Sequence, residues 1–359
     1  MKPLSRPVRI GLFGLGVLTV VLLAFGLLCV LFPFPVERLK PPSATRVLDR
    51  NGVELRRFLA EDEMWRFPVT LDEVSPELIT ALLESEDRWF YFHPGVNPLA
   101  IIRATWTNLA AGRIVSGAST IPMQIARMID PKSRTLGAKL MEAFRALQLS
   151  AMYSKTELLE IYLNTAPFGG NIMGVDAASL LYFNKPPDRL SLGECALLAV
   201  LPRSPNEYDP ARNPGAAMTV RNRVLLLLWE RGVLDPDLAQ RAMGQPMVAQ
   251  RRASPMQAPH FTLLAKNRLG MQPTLTTTLD LTSQHTLERL VSRHVRRIRP
   301  EGITNAAAVV MDRQTREILA LVGSADFFDN ASQGQVNNAL APRSPGSTLK
   351  PFLYALAFD

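Results

Sequence analysis

The sequence predicts a mainly α fold: an N-terminal transmembrane helix, a helix-rich domain, and the beginning of an α/β domain. Three observations predict it. No charged residue occurs from Ile10 to Phe32, and a run of that length crosses a bilayer core of about 30 Å. From about Ser75 to Ala242, apolar residues recur mostly with helical spacing. Near the end, "NAAAVVMD" and "REILALVG" flank a polar turn and read as a hairpin of buried strands.

The elements follow in order. Lys2, Arg6 and Arg9 precede the apolar run, so residues 1–9 read as a cytoplasmic tail and 10–32 as an anchor, with the rest of the chain outside. A cleaved signal peptide is the competing reading. It would have a shorter apolar core and a small-residue cleavage site, and "PFPVERLKPP" offers none. Residues 33–69 are a linker stiffened by Pro33, Pro35, Pro41 and Pro42, then a short β-hairpin, "RVLDRNGVELRRF", around Asn51-Gly52. Residues 70–242 form the helical domain. "PRSPNEYDPARNPG" interrupts it as a loop, and "TVRNRVLLLLWERG" resumes a helix that ends at Gly232. Residues 243–300 read as an interdomain linker, because scattered Pro, Gly and Gln break the periodicity at its start. Residues 301–359 open the second domain.

Composition narrows the function. Of 359 residues, 47% are hydrophobic, which is enough for a sizeable core, and the net charge of +8 favours an anionic partner. Cys29 and Cys195 lie in apolar runs and read as buried free thiols rather than a disulfide framework. His93, His260, His285 and His294 lack metal-ligand spacing.

Four stretches carry candidate chemistry. In "SPELITALLESEDRWFYFHPG", Ser75 caps a helix with Pro76 in its first turn, and Ile79, Leu82, Leu83 and Phe90 share a face. Glu86 falls inside that apolar arc, where desolvation favours proton transfer; the alternative is a structural acid paired with a nearby arginine. In "RTLGAKLMEAFRALQLSAMYSK", Leu140, Phe144, Leu147 and Ala151 make the packed face, leaving Lys139, Glu142 and Arg145 outside it as a solvated set. "IVSGASTIPMQIARMI" offers Gly117, Ser119 and Thr120 as donors before a short helix, suited to phosphate or sugar oxygens or to an ordinary turn. Finally, "SPGSTLKPFLYALAFD" places Ser347 one helical turn before Lys350, a nucleophile and its proton acceptor. Ser-x-x-Lys also arises by chance about once in a few hundred residues.

In order, these stretches resemble the five characteristic blocks of glycosyltransferase family 51, the peptidoglycan glycan polymerases. "ESEDRWFYFHPG" matches through Glu86, Asp87, Phe90, His93 and Gly95. "SGASTIPMQ" matches through Ser119, Thr120 and Gln124, and "AKLMEAFRALQL" through Lys139 and Glu142. "EIYLNTAPFGGNIMGVDAAS" matches through Tyr162, Leu163, Asn164, Gly169 and Gly174. "LSLGECALLAVLPRSPNEYDP" matches through Glu194, Ala196, Pro202 and Pro205. Ala118, Pro122, Met123, Asn97 and Ala138 depart from the usual pattern. With Ser347 and Lys350 downstream, the whole order resembles the class A penicillin-binding proteins, cut off early in the transpeptidase domain.

The resemblance implies a lysozyme-like helical domain that polymerises lipid II with inversion, undecaprenyl pyrophosphate leaving. It implies Glu86 and Glu142 as catalytic, with Asp87, Phe90, His93, Ser119, Thr120, Gln124, Lys139, Arg145 and Asn164 binding substrate. Arg127 and Arg134 are further cations for the pyrophosphate. Ser347 and Lys350 would be the catalytic pair of a transpeptidase fragment that is inactive at this length, so β-lactams are partners only of a complete domain. The implied partners are lipid II, the growing glycan strand and the bacterial cytoplasmic membrane, with the catalytic domain periplasmic. No cofactor is required, although a divalent cation such as Mg or Mn beside Glu142 is compatible. Two other classes fit less well. An inactive membrane-anchored scaffold predicts erosion at Glu86 or Glu142, which are intact, and a nucleic-acid binder lacks any recognisable module.

Overall fold

The computed structural model describes residues 6–113, 117–131, 133, 135–342 and 344–358, the side chains of 6–14 and 18 excepted. Lys2, Arg134 and the side chains of Arg6 and Arg9 therefore lie outside the described residues. Along the chain come α1 (Arg6–Leu31), β1 (Thr45–Leu48), β2 (Glu54–Phe58), α2 (Pro76–Glu86), α3 (Pro98–Ala111), α4 (Ile121–Ile129) and α5 (Leu136–Met152). They are followed by α6 (Lys155–Thr165), β3 (Pro167–Gly169), β4 (Ile172–Met173), α7 (Val175–Phe183), α8 (Leu192–Val200), α9 (Pro214–Glu230) and α10 (Pro236–Gly244). The last are α11 (Pro259–Leu269), β5 (Thr274–Thr276), α12 (Leu281–Ile298), β6 (Ala308–Met311), β7 (Ile318–Val322) and α13 (Lys350–Phe358). Among the described residues no helix is long and apolar enough to cross a membrane. The anchor expected over 10–32 rests on its sequence.

The chain forms two compact units, 1–42 with 62–252, and 43–61 with 253–359. In the first, α8 is apolar on every side from Cys195 to Val200 and buried there, which makes it the central helix. It packs against α2 and α9, while α4 packs against α5 and α6. Side-chain caps fix the helix starts: Ser75 accepts from the Leu78 amide and Thr120 from the Met123 amide. Ser191 and Glu194 close a capping box on α8, and Glu194 also binds Lys185 at 2.9 Å. The buried Cys195 thiol is pushed up to about 11 by desolvation.

Gly95 shows how closely the loop after α2 approaches α5. Its φ is +107°, and a Cβ there would run into the Ala146 carbonyl oxygen. Gly95→Ala is therefore expected to destabilise the unit by about 1–3 kcal/mol, read as a lower urea midpoint by circular dichroism.

In the second unit, β1 pairs antiparallel with β2 and parallel with β5, giving the order β2-β1-β5. The hairpin forms around Asn51-Gly52 as expected. Two boundaries differ from the expectation. The hairpin belongs with residues 253–359, and the stretch 243–300 is not a bare linker, because it contains α11, β5 and α12. Phe261, Ala265 and Leu275 fill one core with Val47, Leu55 and Leu321. β5 is only three residues long and cannot display a period by itself. β6 and β7 pair as expected, but only β7 is buried; Val309, Val310 and Met311 of β6 are exposed.

Candidate active site

The helix-periodic row Leu78, Leu82, Glu86 on α2 explains why Glu86 turns inward: the first two are buried and the Glu86 side chain is 7% exposed. Its immediate surroundings are polar rather than apolar. Arg203 contacts Oε1 through Nη2 at 2.7 Å and Nε at 3.0 Å. Gln124 Nε2 donates to Oε2 at 2.9 Å, and the buried Tyr162 hydroxyl donates to Gln124 Oε1 at 3.4 Å. Burial, then the Glu86 charge, raises the Tyr162 phenol well above its ordinary range, so it stays a donor. The arginine required by the alternative reading of Glu86 is thus present, and the carboxylate still lines a polar cavity of about 170 Å³ with Ser119, Thr120, Arg88 and Arg103.

Asp87 works beneath the surface. Its carboxylate accepts from the Ile121 amide at 2.9 Å and from His93 Nε2 at 3.0 Å. The Gly95 amide donates to His93 Nδ1, which leaves Nε2 as the protonated nitrogen. Thr120 Oγ1 donates to the Gly95 carbonyl. Phe90 is fully buried, and Asn164 spends its amide on the Val69 amide and carbonyl. The side chains of Phe90, His93 and Asn164, expected to bind substrate, are turned into the protein in this structure. Asp87 lines the same cavity beside Glu86, whereas Gln124 reaches it through Glu86.

The packed face of α5 also differs from the expectation. Leu140 is exposed, whereas Ala138, Ala146 and Leu149 are buried. The inward stripe runs through positions 138, 142, 146 and 149, so Glu142 is on it, with a side chain 14% exposed. Long apolar residues at Leu136 and Leu140 face outward and mislead a count of hydrophobic positions. Lys139 Nζ lies 2.6 Å from Glu142 Oε2 and donates to Ser119 Oγ at 3.0 Å. Ser119 lines the Glu86 cavity, so the Lys139–Glu142 pair adjoins that cavity through it. Arg145 gives Nη1 to the carbonyls of Phe32 and Pro33 and to Gln148. Arg127 is exposed. Among the described residues no group of three or more His, Cys, Asp or Glu side chains could hold a metal ion. Glu142 is paired with Lys139 and shares a small cavity with Asp130 and Arg145.

Sequence reasoning missed Arg203, which follows Pro202 in the fifth stretch. Lys155 was also missed; it donates to the His93 carbonyl at 2.6 Å and stands 4.6 Å from the Phe90 ring. Burial lowers its pKa, against the opposing charge of Asp87. In the second unit, Ser347 lies in a 3₁₀ turn (Gly346–Leu349), Lys350 begins α13, and both are exposed, as is every described residue of α13.

Residues 51–228 match the transglycosylase family model, and residues 306–359 match the penicillin binding protein transpeptidase domain model. Penicillin-binding protein 1C of Escherichia coli (strain K12) is 41% identical over 331 residues, covering 92% of this chain and 42% of that protein. Penicillin-binding protein 1A of Aquifex aeolicus is 33% identical, covering 79% of this chain and 41% of that protein. Penicillin-binding protein 1B of Vibrio cholerae is 35% identical, covering 88% and 41%. The chain spans about two fifths of the length of these relatives.

Proposed function

This chain belongs to the class A penicillin-binding proteins, and on that premise we propose that its first unit polymerises lipid II into glycan strands. The observation that carries the reading is a nearly buried carboxylate, Glu86, oriented at both oxygens on the wall of a polar cavity. Glu86 takes the proton of the acceptor's 4-hydroxyl as that oxygen attacks the donor's anomeric carbon. The bond from that carbon to the pyrophosphate oxygen breaks on the opposite face, so the centre inverts. Undecaprenyl pyrophosphate leaves with the bonding electron pair. Pyrophosphate is a competent leaving group, so cations serve it better than a strong acid. Lys139, held between Ser119 and Glu142, supplies one, and Glu142 keeps the ammonium in place. Arg145 and the exposed Arg127 are further cations for that charge.

The test is direct. Purified 359-residue protein in detergent should convert labelled lipid II into polymer, and failure of the intact protein to do so would leave an inactive scaffold as the better reading. The apolar run 10–32 supports a single-pass anchor in the bacterial cytoplasmic membrane, with the units on the extracytoplasmic side. Because lipid II stays in the membrane, deletion of residues 1–30 is expected to reduce polymerisation on liposomes much more than in detergent. This cut keeps the Phe32 and Pro33 carbonyls that hold Arg145. Equal liposome activity with and without residues 1–30 would remove the anchor from the mechanism.

A further inference from the structure

We propose that Arg203 is a positioning residue for the Glu86 carboxylate, acting as one jaw of a clamp whose other jaw is the Tyr162–Gln124 arm. The inference rests on the polymerase reading and adds to it a residue that the sequence blocks do not single out. The two jaws differ in kind. The Tyr162 hydroxyl gives its proton to Gln124 Oε1, which fixes the amide so that Nε2, and not the oxygen, faces Glu86 Oε2. This jaw is neutral and buried. Arg203 is the charged jaw, and its Nε and Nη2 both reach Oε1. A carboxylate that is 7% exposed needs charge compensation as well as hydrogen bonds; the guanidinium provides both.

Arg203 is itself held by the fold. Its Nη2 also donates to the Ser85 carbonyl at 3.1 Å, one of the carbonyls left without a partner at the C-terminal end of α2. A cation at that end is favoured by the helix dipole as well as by Glu86. Arg231 from the end of α9 does the same one residue earlier, binding the Glu84 carbonyl and carboxylate. The last turn of α2 is thus capped by two arginines, and only Arg203 reaches the carboxylate in the cavity. Because each jaw takes a different oxygen, the carboxylate plane is defined and one face of it is left to the cavity. Loss of Arg203 leaves Glu86 attached at Oε2 alone and free to rotate about that single bond.

The expected result for Arg203→Gln in the full chain is a fall in kcat of about 10²-fold, the scale of a misplaced reacting group, with KM for lipid II little changed. Arg203→Lys keeps the charge but not the two-nitrogen contact, and its kcat should fall between the two. A raised KM with kcat retained would mean that Arg203 binds substrate, which would overturn the proposal, as would wild-type kcat in Arg203→Gln. A second measurement does not depend on turnover. Labelling by a water-soluble carbodiimide and an amine, read by peptide mass spectrometry, should rise at Glu86 in Arg203→Gln and not at the solvent-exposed Glu61. If wild type makes no polymer but the labelling difference appears, the clamp stands and the polymerase reading fails. Equal labelling of Glu86 in wild type and Arg203→Gln sinks the clamp.

Discussion

Glu86→Gln is expected to slow lipid II polymerisation by about 10²–10⁴-fold, the usual cost of removing a general base. The substitution is nearly isosteric, and its amide oxygen still accepts from Arg203. It cannot take a proton from the acceptor hydroxyl. It also turns an NH₂ group toward Gln124 Nε2, and Gln124 cannot flip to accept it without losing the Tyr162 hydroxyl. A modest loss of stability should accompany the large loss of rate. Gel-resolved polymer from labelled lipid II measures the rate, and a thermal melt separates the two effects. Polymerisation near the wild-type rate would remove Glu86 from the chemistry.

The second large effect is an absence. A polypeptide of these 359 residues, incubated with a labelled β-lactam, is expected to carry no covalent label at Ser347 while still polymerising lipid II. Acylation needs a deprotonated hydroxyl, donors aimed at the developing oxyanion, and walls that exclude water. Ser347 has Lys350 one turn on, but both are exposed and α13 buries none of its described side chains. Peptide mass spectrometry after labelling decides the matter. Stoichiometric acylation at Ser347 would mean that the pair is a self-sufficient site.

The sequence carried the local features best. Ser75 and Thr120 cap the helices they precede, Asn51-Gly52 turns a hairpin, and Glu86 points inward because it shares a helical row with Leu78 and Leu82. What it could not carry is set by distance along the chain. Arg203 and Glu86 are joined by a contact across more than a hundred residues, and nothing in the periodicity around either one announces the other. The same holds for α11 and β5, whose apolar residues make sense only beside Val47 and Leu55. The face of α5 is hard to read for a different reason. Apolar residues at Leu136 and Leu140 are exposed, so hydrophobicity does not report burial there, and Glu142 lies on the inner stripe. His93 and Asn164 lie in motif-like stretches and also bind backbone groups, a feature visible only once their partners are known.

The Asp87 carboxylate joins the residue after α2 to the first amide of α4, and His93 and Thr120 close the knot through Gly95. Glu86 lies on one side of that knot and Gln124 on the other. Four hydrogen bonds thus tie together the segments that carry the two side chains, which sets their spacing in the fold. In the proposed reaction the carboxylate would therefore meet each incoming sugar at the same angle, its ordering already done during folding. Repeated along a glycan strand in that reaction, this constancy would make each addition a copy of the one before it.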